Sequence, residues 1–93
     1  MFEIQLRDGI LFLSGRLDAS KVADAEKVLD TLTQSTTVDL SELDYISSAG
    51  IGAFLKVQKR LHASGEGLRL VHPRPRVRDI FHYAGLEHVF QME

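Results

Sequence analysis

Val38-Asp39-Leu40-Ser41-Glu42-Leu43-Asp44-Tyr45-Ile46-Ser47-Ser48-Ala49-Gly50-Ile51 is the stretch on which the reading of this 93-residue chain turns. It continues the β-branched run Thr36-Thr37, and residues 36–40 are predicted to form a strand. Beyond it, Ile51, Phe54, Leu55, Gln58 and Leu61 recur at helical spacing. A helix is therefore expected from Ser47 or Ser48 to about Ala63, ended by Gly65 and Gly67. Strand, short loop and a serine pair at a helix start follow one another directly.

Upstream, Phe2, Ile4 and Leu6 alternate with Glu3, Gln5 and Arg7, the period of a strand with one buried face. Asp8-Gly9 supplies a tight turn. Ile10-Leu11-Phe12-Leu13 is too short for a helix and is predicted as a hairpin-paired strand buried on both faces, with Gly15 and Asp18 marking its end. Val22, Ala25, Val28, Leu29 and Leu32 then trace a helix over Ala19–Thr33, capped by Asp18 or Ser20. Joined to the strand at 36–40 by a right-handed crossover, it makes a β-α-β unit.

Downstream, Leu68–Val71 reads as another strand, and Pro73 and Pro75 punctuate the passage out of it. A third helix carries Val77, Ile80, Phe81 and Ala84 before Gly85, and Val89-Phe90 is placed in a terminal strand. The expected fold is α/β: one domain over residues 1–93, a mixed four- to five-stranded sheet with helices packed on it, in the order β-β-α-β-α-β-α-β. Functional loops of such folds gather at the carboxyl ends of the parallel strands, so Asp18, Asp39 and Asp44 are expected near Ser48.

The formal charge is −2, too close to neutral for a binder driven by phosphate electrostatics, and nucleic acid is not an expected partner. Arg74, Arg76 and Arg78 are the one basic cluster, read as a solvated face. With no cysteine, neither a disulfide framework nor a thiolate metal site is available. No apolar run approaches the roughly 20 residues that span a bilayer, so direct membrane insertion is not expected and the chain is placed in the cytoplasm.

Catalytic and cofactor motifs are not found either. In Gly50-Ile51-Gly52 the third glycine of a dinucleotide fingerprint is replaced by Leu55, and Lys56 is followed by Val57 rather than by the hydroxyl of a phosphate loop. His62, His72, His82 and His88 lie on separate elements with no metal-ligand spacing. None follows a serine in a plausible triad context, so no enzyme, metal or cofactor is expected.

A serine at a helix N-terminus has an ordinary role as a cap. The same position favours a phosphate, because unpaired N–H groups and the helix dipole both attract negative charge. Gly50 and Gly52 cost about 1 kcal/mol each relative to Ala in an exposed helix interior. Their presence implies close backbone approach, by a neighbouring strand or by a partner. Lys56, Lys59, Arg60 and His62 form a polar face away from most of the apolar stripe.

The stretch resembles the signature of the STAS family. There a strand ending Asp-Leu-Ser, here Asp39-Leu40-Ser41, leads through an aromatic-plus-aliphatic pair, here Tyr45-Ile46, to Asp-Ser-Ser/Thr-Gly-Leu/Ile at a helix start. The element order and the corner Gly15-Arg16-Leu17-Asp18 agree. Anchored on Gly50 and Ile51, the resemblance puts Ser48 on the serine that a cognate kinase phosphorylates in anti-sigma-factor antagonists. Ser47 replaces the usual Asp, which makes it the alternative acceptor, and Ala49 replaces the usual Ser or Thr.

The implied partners are an anti-sigma factor serine kinase, which the unmodified antagonist binds, and a phosphatase that restores the complex. Asp18, Asp39, Ser47, Ala49, Gly50, Gly52, Lys56, Lys59 and Arg60 are the implied partner-binding residues. Two other uses of this family stay open: an interaction subunit of a lipid-transport ATPase complex, and a sensor for a small ligand or nucleotide at the strand ends.

Overall fold

The computed structural model describes all 93 residues. Strands β1 (Phe2–Arg7) and β2 (Ile10–Leu17) pair antiparallel around Asp8 and Gly9, whose φ angles of +52° and +79° are those of the tight turn that matches strand twist. β3 (Thr36–Ile46), β4 (Leu68–Val71) and β5 (Gln91–Met92) then add in sequence order, each parallel to its predecessor, to complete a mixed five-stranded sheet. The crossovers are α1 (Val22–Leu29), entered through a 3₁₀ turn at Ala19–Lys21, α2 (Ser48–His62) and α3 (Pro75–Tyr83).

Strands taken in order with crossovers of one hand leave every helix on the same face. One core results, joining Leu11, Leu13, Val38, Leu40, Leu68 and Leu70 of the sheet to Ala25, Leu29, Phe54, Val57, Val77 and Phe81 of the helices. The opposite face carries Glu3, Gln5, Arg7, Phe12, Ser14 and Asp39, and no helix covers it. Ile10 and Phe12 are only half-buried in consequence, so β2 is covered on one face rather than on both.

β3 runs to Ile46, six residues past the expected end at Leu40. Its register against β2 slips twice: Phe12 opposes Asp39 but Ser14 opposes Glu42, and Gly15 opposes Leu43 but Arg16 opposes Tyr45. Each slip inserts one extra residue, so the buried positions after Leu40 are Leu43 and Ile46, at intervals of three. Strict alternation fails there while the strand continues.

β4 pairs only with residues 36–39, which leaves the second half of β3 without a neighbouring strand on that side. Arg74 takes that place. Its Nε donates to the Ser41 carbonyl at 2.7 Å, and its other nitrogens reach Asp44 and Glu42. The basic cluster is therefore partly spent on covering a strand edge.

Three further boundaries differ from expectation. α1 ends at Leu29, and Leu32 reaches the core from a turn whose carbonyl, with that of Leu29, is held by Arg60. The core face of α2 is Gly50, Ile51, Ala53, Phe54, Val57 and Leu61; Leu55 and Gln58 are only partly buried. The last strand is Gln91–Met92, because Phe90 instead turns inward edge-to-face against Phe81 at 5.7 Å.

Gly15 is the backbone position with least freedom. Its φ is +83°, and a Cβ there would lie 2.0 Å from the Met1 carbonyl oxygen, which accepts the Arg16 N–H at 2.9 Å. Gly15→Ala is expected to destabilise the chain by about 1–3 kcal/mol, seen as an earlier midpoint in urea unfolding followed by circular dichroism.

Candidate functional site

α2 begins where β2 and β3 end side by side, Leu17 opposite Ile46. The Ser47 N–H donates to the Leu17 carbonyl at 2.9 Å, its own carbonyl accepts from Ile51 at 2.9 Å, and its Oγ accepts the Gly50 N–H at 3.1 Å. Ser47 is thus the N-cap, with extended φ and ψ of −82° and 167°. Ser48 is the first helical residue and its side chain is exposed. Of the two adjacent hydroxyls, one holds the helix and the other faces solvent.

Gly50 is buried, and a Cβ on it would meet Ile46 Cγ1 at 2.9 Å and Leu17 Cγ at 3.0 Å. Its place is therefore in the helix-to-sheet seam, and packing inside the chain accounts for this glycine. Gly52 is exposed with nothing within 4 Å of a Cβ, so close packing in the chain does not explain it. It shares the outward stripe of α2 with Ser48, Leu55, Lys59 and His62, spaced four, three, four and three apart. Exposed Ala49 adjoins them, and Ser48, Ala49 and Gly52 together give the helix start very low relief.

The polar face of α2 divides. Lys56 pairs with Glu26 at 3.5 Å, and the Arg60 guanidinium donates to the carbonyls of Leu32 at 2.7 Å and Leu29 at 3.1 Å, closing the end of α1. Arg60 thereby serves the fold while its side chain stays at the surface. Lys59 and His62 remain outward, beside a shallow apolar groove of about 400 Å³ that they line with Leu55, Gln58 and Val89.

The three aspartates do not gather. Asp18 follows Leu17 and so adjoins Ser47. Its carboxylate accepts the Ser20 hydroxyl at 2.6 Å and the Ser20 N–H at 3.0 Å, and the hydroxyl contact chiefly holds its pKa below the ordinary 3.8. Asp18 is therefore ionised throughout the neutral range. Asp39 lies seven residues before Ile46 on β3, roughly 20 Å away at strand rise, and its carboxylate accepts the Ser41 N–H at 2.8 Å. Asp44 is committed to Arg74.

Tyr45, the aromatic of the signature stretch, has a second role that its place in the motif does not reveal. Arg16 stacks on its ring at 4.4 Å and Arg76 stands at 5.7 Å, an aromatic-cationic patch two residues from Ser47. The parallel register of β2 and β3, which sets Arg16 opposite Tyr45, brings these side chains together. None of the four surface concavities includes Ser47 or Ser48. The serine corner therefore lies outside every concavity, an open surface that another macromolecule can meet but that encloses no small molecule.

A sheet with helices on one face only, and α2 capped on the ends of two parallel strands, defines a STAS-type α/β domain. The sequence matches the family described as Mlab, STAS domain, over residues 1–92, and the chain belongs to the STAS family. It is 34% identical over 89 residues to BtrV of Bordetella bronchiseptica, whose name assigns it to the anti-sigma factor antagonists; the match covers 89% of this chain and 77% of BtrV. The fold is similar to that of an anti-sigma factor antagonist from Mycobacterium paratuberculosis, with a TM-score of 0.82 at 20% identity, covering 99% of this chain and 83% of that one. It is also similar to that of the antagonist SpoIIAA in its unphosphorylated form, with a TM-score of 0.76 at 22% identity, covering 100% and 88%. The phosphorylated form of SpoIIAA, from Bacillus, matches with a TM-score of 0.69 at 20% identity, covering 100% and 91%.

The two glycines of α2 are expected to respond oppositely to alanine. Gly52→Ala adds a side chain into open space and should stabilise by about 0.5–1 kcal/mol. Gly50→Ala forces Leu17 or Ile46 to shift and should destabilise by about 1–3 kcal/mol. Thermal unfolding of the two variants beside the parent checks both signs.

Proposed function

We propose that this chain is an anti-sigma factor antagonist that binds an anti-sigma factor serine kinase through the start and outward stripe of α2, and that phosphorylation of Ser48 ends the complex. The observation that carries the reading is the division of labour between the two serines. Ser47 is spent on the cap, and Ser48 stands exposed in the first turn. The 34% identity to BtrV supports the antagonist class, and SpoIIAA is known in both an unphosphorylated and a phosphorylated form.

The physical consequence of the modification follows from its position. A phosphoserine brings about −1.5 to −2 charges, and the free N–H groups of the first turn favour an anion there, so the helix itself is not opposed. The change falls on the surface. A bulky dianion on an otherwise flat patch of Ser48, Ala49 and Gly52, next to ionised Asp18, alters both shape and charge where a partner docks. Hydrolysis by a phosphatase restores the hydroxyl and the flat surface.

A second reading, an interaction subunit of a transport ATPase, is favoured by the family description Mlab. It uses the same exposed corner for docking and needs no kinase. Co-purification with a transporter ATPase in place of an anti-sigma factor would decide for it.

Incubation with the cognate kinase should label the parent and Ser47→Ala but not Ser48→Ala. Ser48→Asp should bind the anti-sigma factor at least about tenfold more weakly than Ser48→Ala, equivalent to about 1.4 kcal/mol. Equal affinity of these two variants, measured by titration calorimetry, would overturn the switch.

A further inference from the structure

The two edges of the sheet are managed differently. β5 is only two residues long and leaves little to pair with. β1 is six residues long, without proline, and in unbroken register with β2. It has neither a proline, a bulge nor a covering segment to blunt it, and its only guards are the opposite charges Glu3 and Arg7, which a second copy can pair rather than repel.

The main-chain groups that β1 turns outward follow from the hairpin. A two-residue turn closes on a hydrogen-bonded pair, here Arg7 with Ile10, and such pairs alternate along the ladder. Arg7, Gln5 and Glu3 therefore bond to β2, as does the Met1 carbonyl with the Arg16 N–H. Phe2, Ile4 and Leu6 point their N–H and C=O groups away from the sheet, and no turn, loop or side-chain hydrogen bond in the chain meets them.

We propose that two copies of this chain pair through β1, antiparallel about a two-fold axis at Gln5, joining two five-stranded sheets into one of ten strands. The sequence of the edge selects the register. With Gln5 opposite its own copy, Ile4 opposes Leu6 and exchanges both main-chain hydrogen bonds, and Glu3 opposes Arg7 in a non-bonded pair where side chains lie closest. The axis repeats each contact. Sliding by one residue sets apolar against polar side chains, and sliding by two removes both charge pairs. Arg7 stacks over Phe12 at 4.7 Å on the uncovered face, the face on which Glu3 also stands. Pairing also covers Leu6, which is 49% exposed in the single chain.

So small an interface gives a concentration-dependent dimer, and β1 lies apart from α2, so association does not depend on Ser48. Sedimentation equilibrium over a concentration series should show the parent passing from the mass of one chain to that of two. Glu3→Arg or Arg7→Glu alone sets like charges opposite each other twice and should weaken association at least about tenfold. The double variant Glu3→Arg with Arg7→Glu restores opposite pairs and should recover the parent's association. Ile4→Pro, which deletes an outward N–H, should stay monomeric while keeping the parent's circular dichroism, and Ser48→Asp should dimerise as the parent does. A parent that stays monomeric to about 1 mM, or a double variant no better than the single ones, would overturn the proposal.

Discussion

The seat of α2 on the ends of β2 and β3 is the contact on which the other features depend. Ser47 ties the helix to β2 through the Leu17 carbonyl while its hydroxyl caps the same helix at Gly50. Gly50 has no side chain, so Leu17 and Ile46 press against the helix backbone. The two slips in β3 keep Leu43 and Ile46 on the core side up to that point, and Arg74 braces the same stretch from outside. A strand edge, a cap and a glycine thus converge to hold the helix start rigidly.

Rigidity at this place has a functional meaning. Because Ser47 and Gly50 satisfy the packing and capping needs, Ser48, Ala49 and Gly52 are left with none. They form an exposed surface of small side chains on a packed and capped support. A sheet whose strand order never reverses has no crevice at a switch point of the kind that holds nucleotides in doubly wound folds. The corner offers exposed contact area outside every surface concavity, the feature on which the proposed docking role rests.

Where sequence and structure agree, the local chemistry is self-sufficient. Asp8-Gly9 contains its own turn, the alternation of β1 needs only one buried face, and a serine before an amphipathic run marks a helix start. Where they part, a distant residue decides. The length of β3 is hidden because two inserted residues break the period of two, and its edge is completed by Arg74 from thirty-three positions away. Arg60 looks like a surface charge on its own helix, yet the carbonyls it holds belong to the end of α1. Asp39 belongs to the signature stretch in sequence but stands far down the strand in space. Gly50 and Gly52 look alike in sequence, and only the neighbours of each separate packing from exposure.

The central claim is that a dianion on Ser48 changes the surface and not the fold. It is tested most directly by comparing amide nitrogen-proton spectra of the unmodified protein with those of protein carrying phosphoserine at position 48. The account predicts shifts confined to the start of α2 and the adjoining ends of β2 and β3, with the resonances of the central sheet and α3 unmoved. Changes spread through the core, or a loss of spectral dispersion, would contradict it.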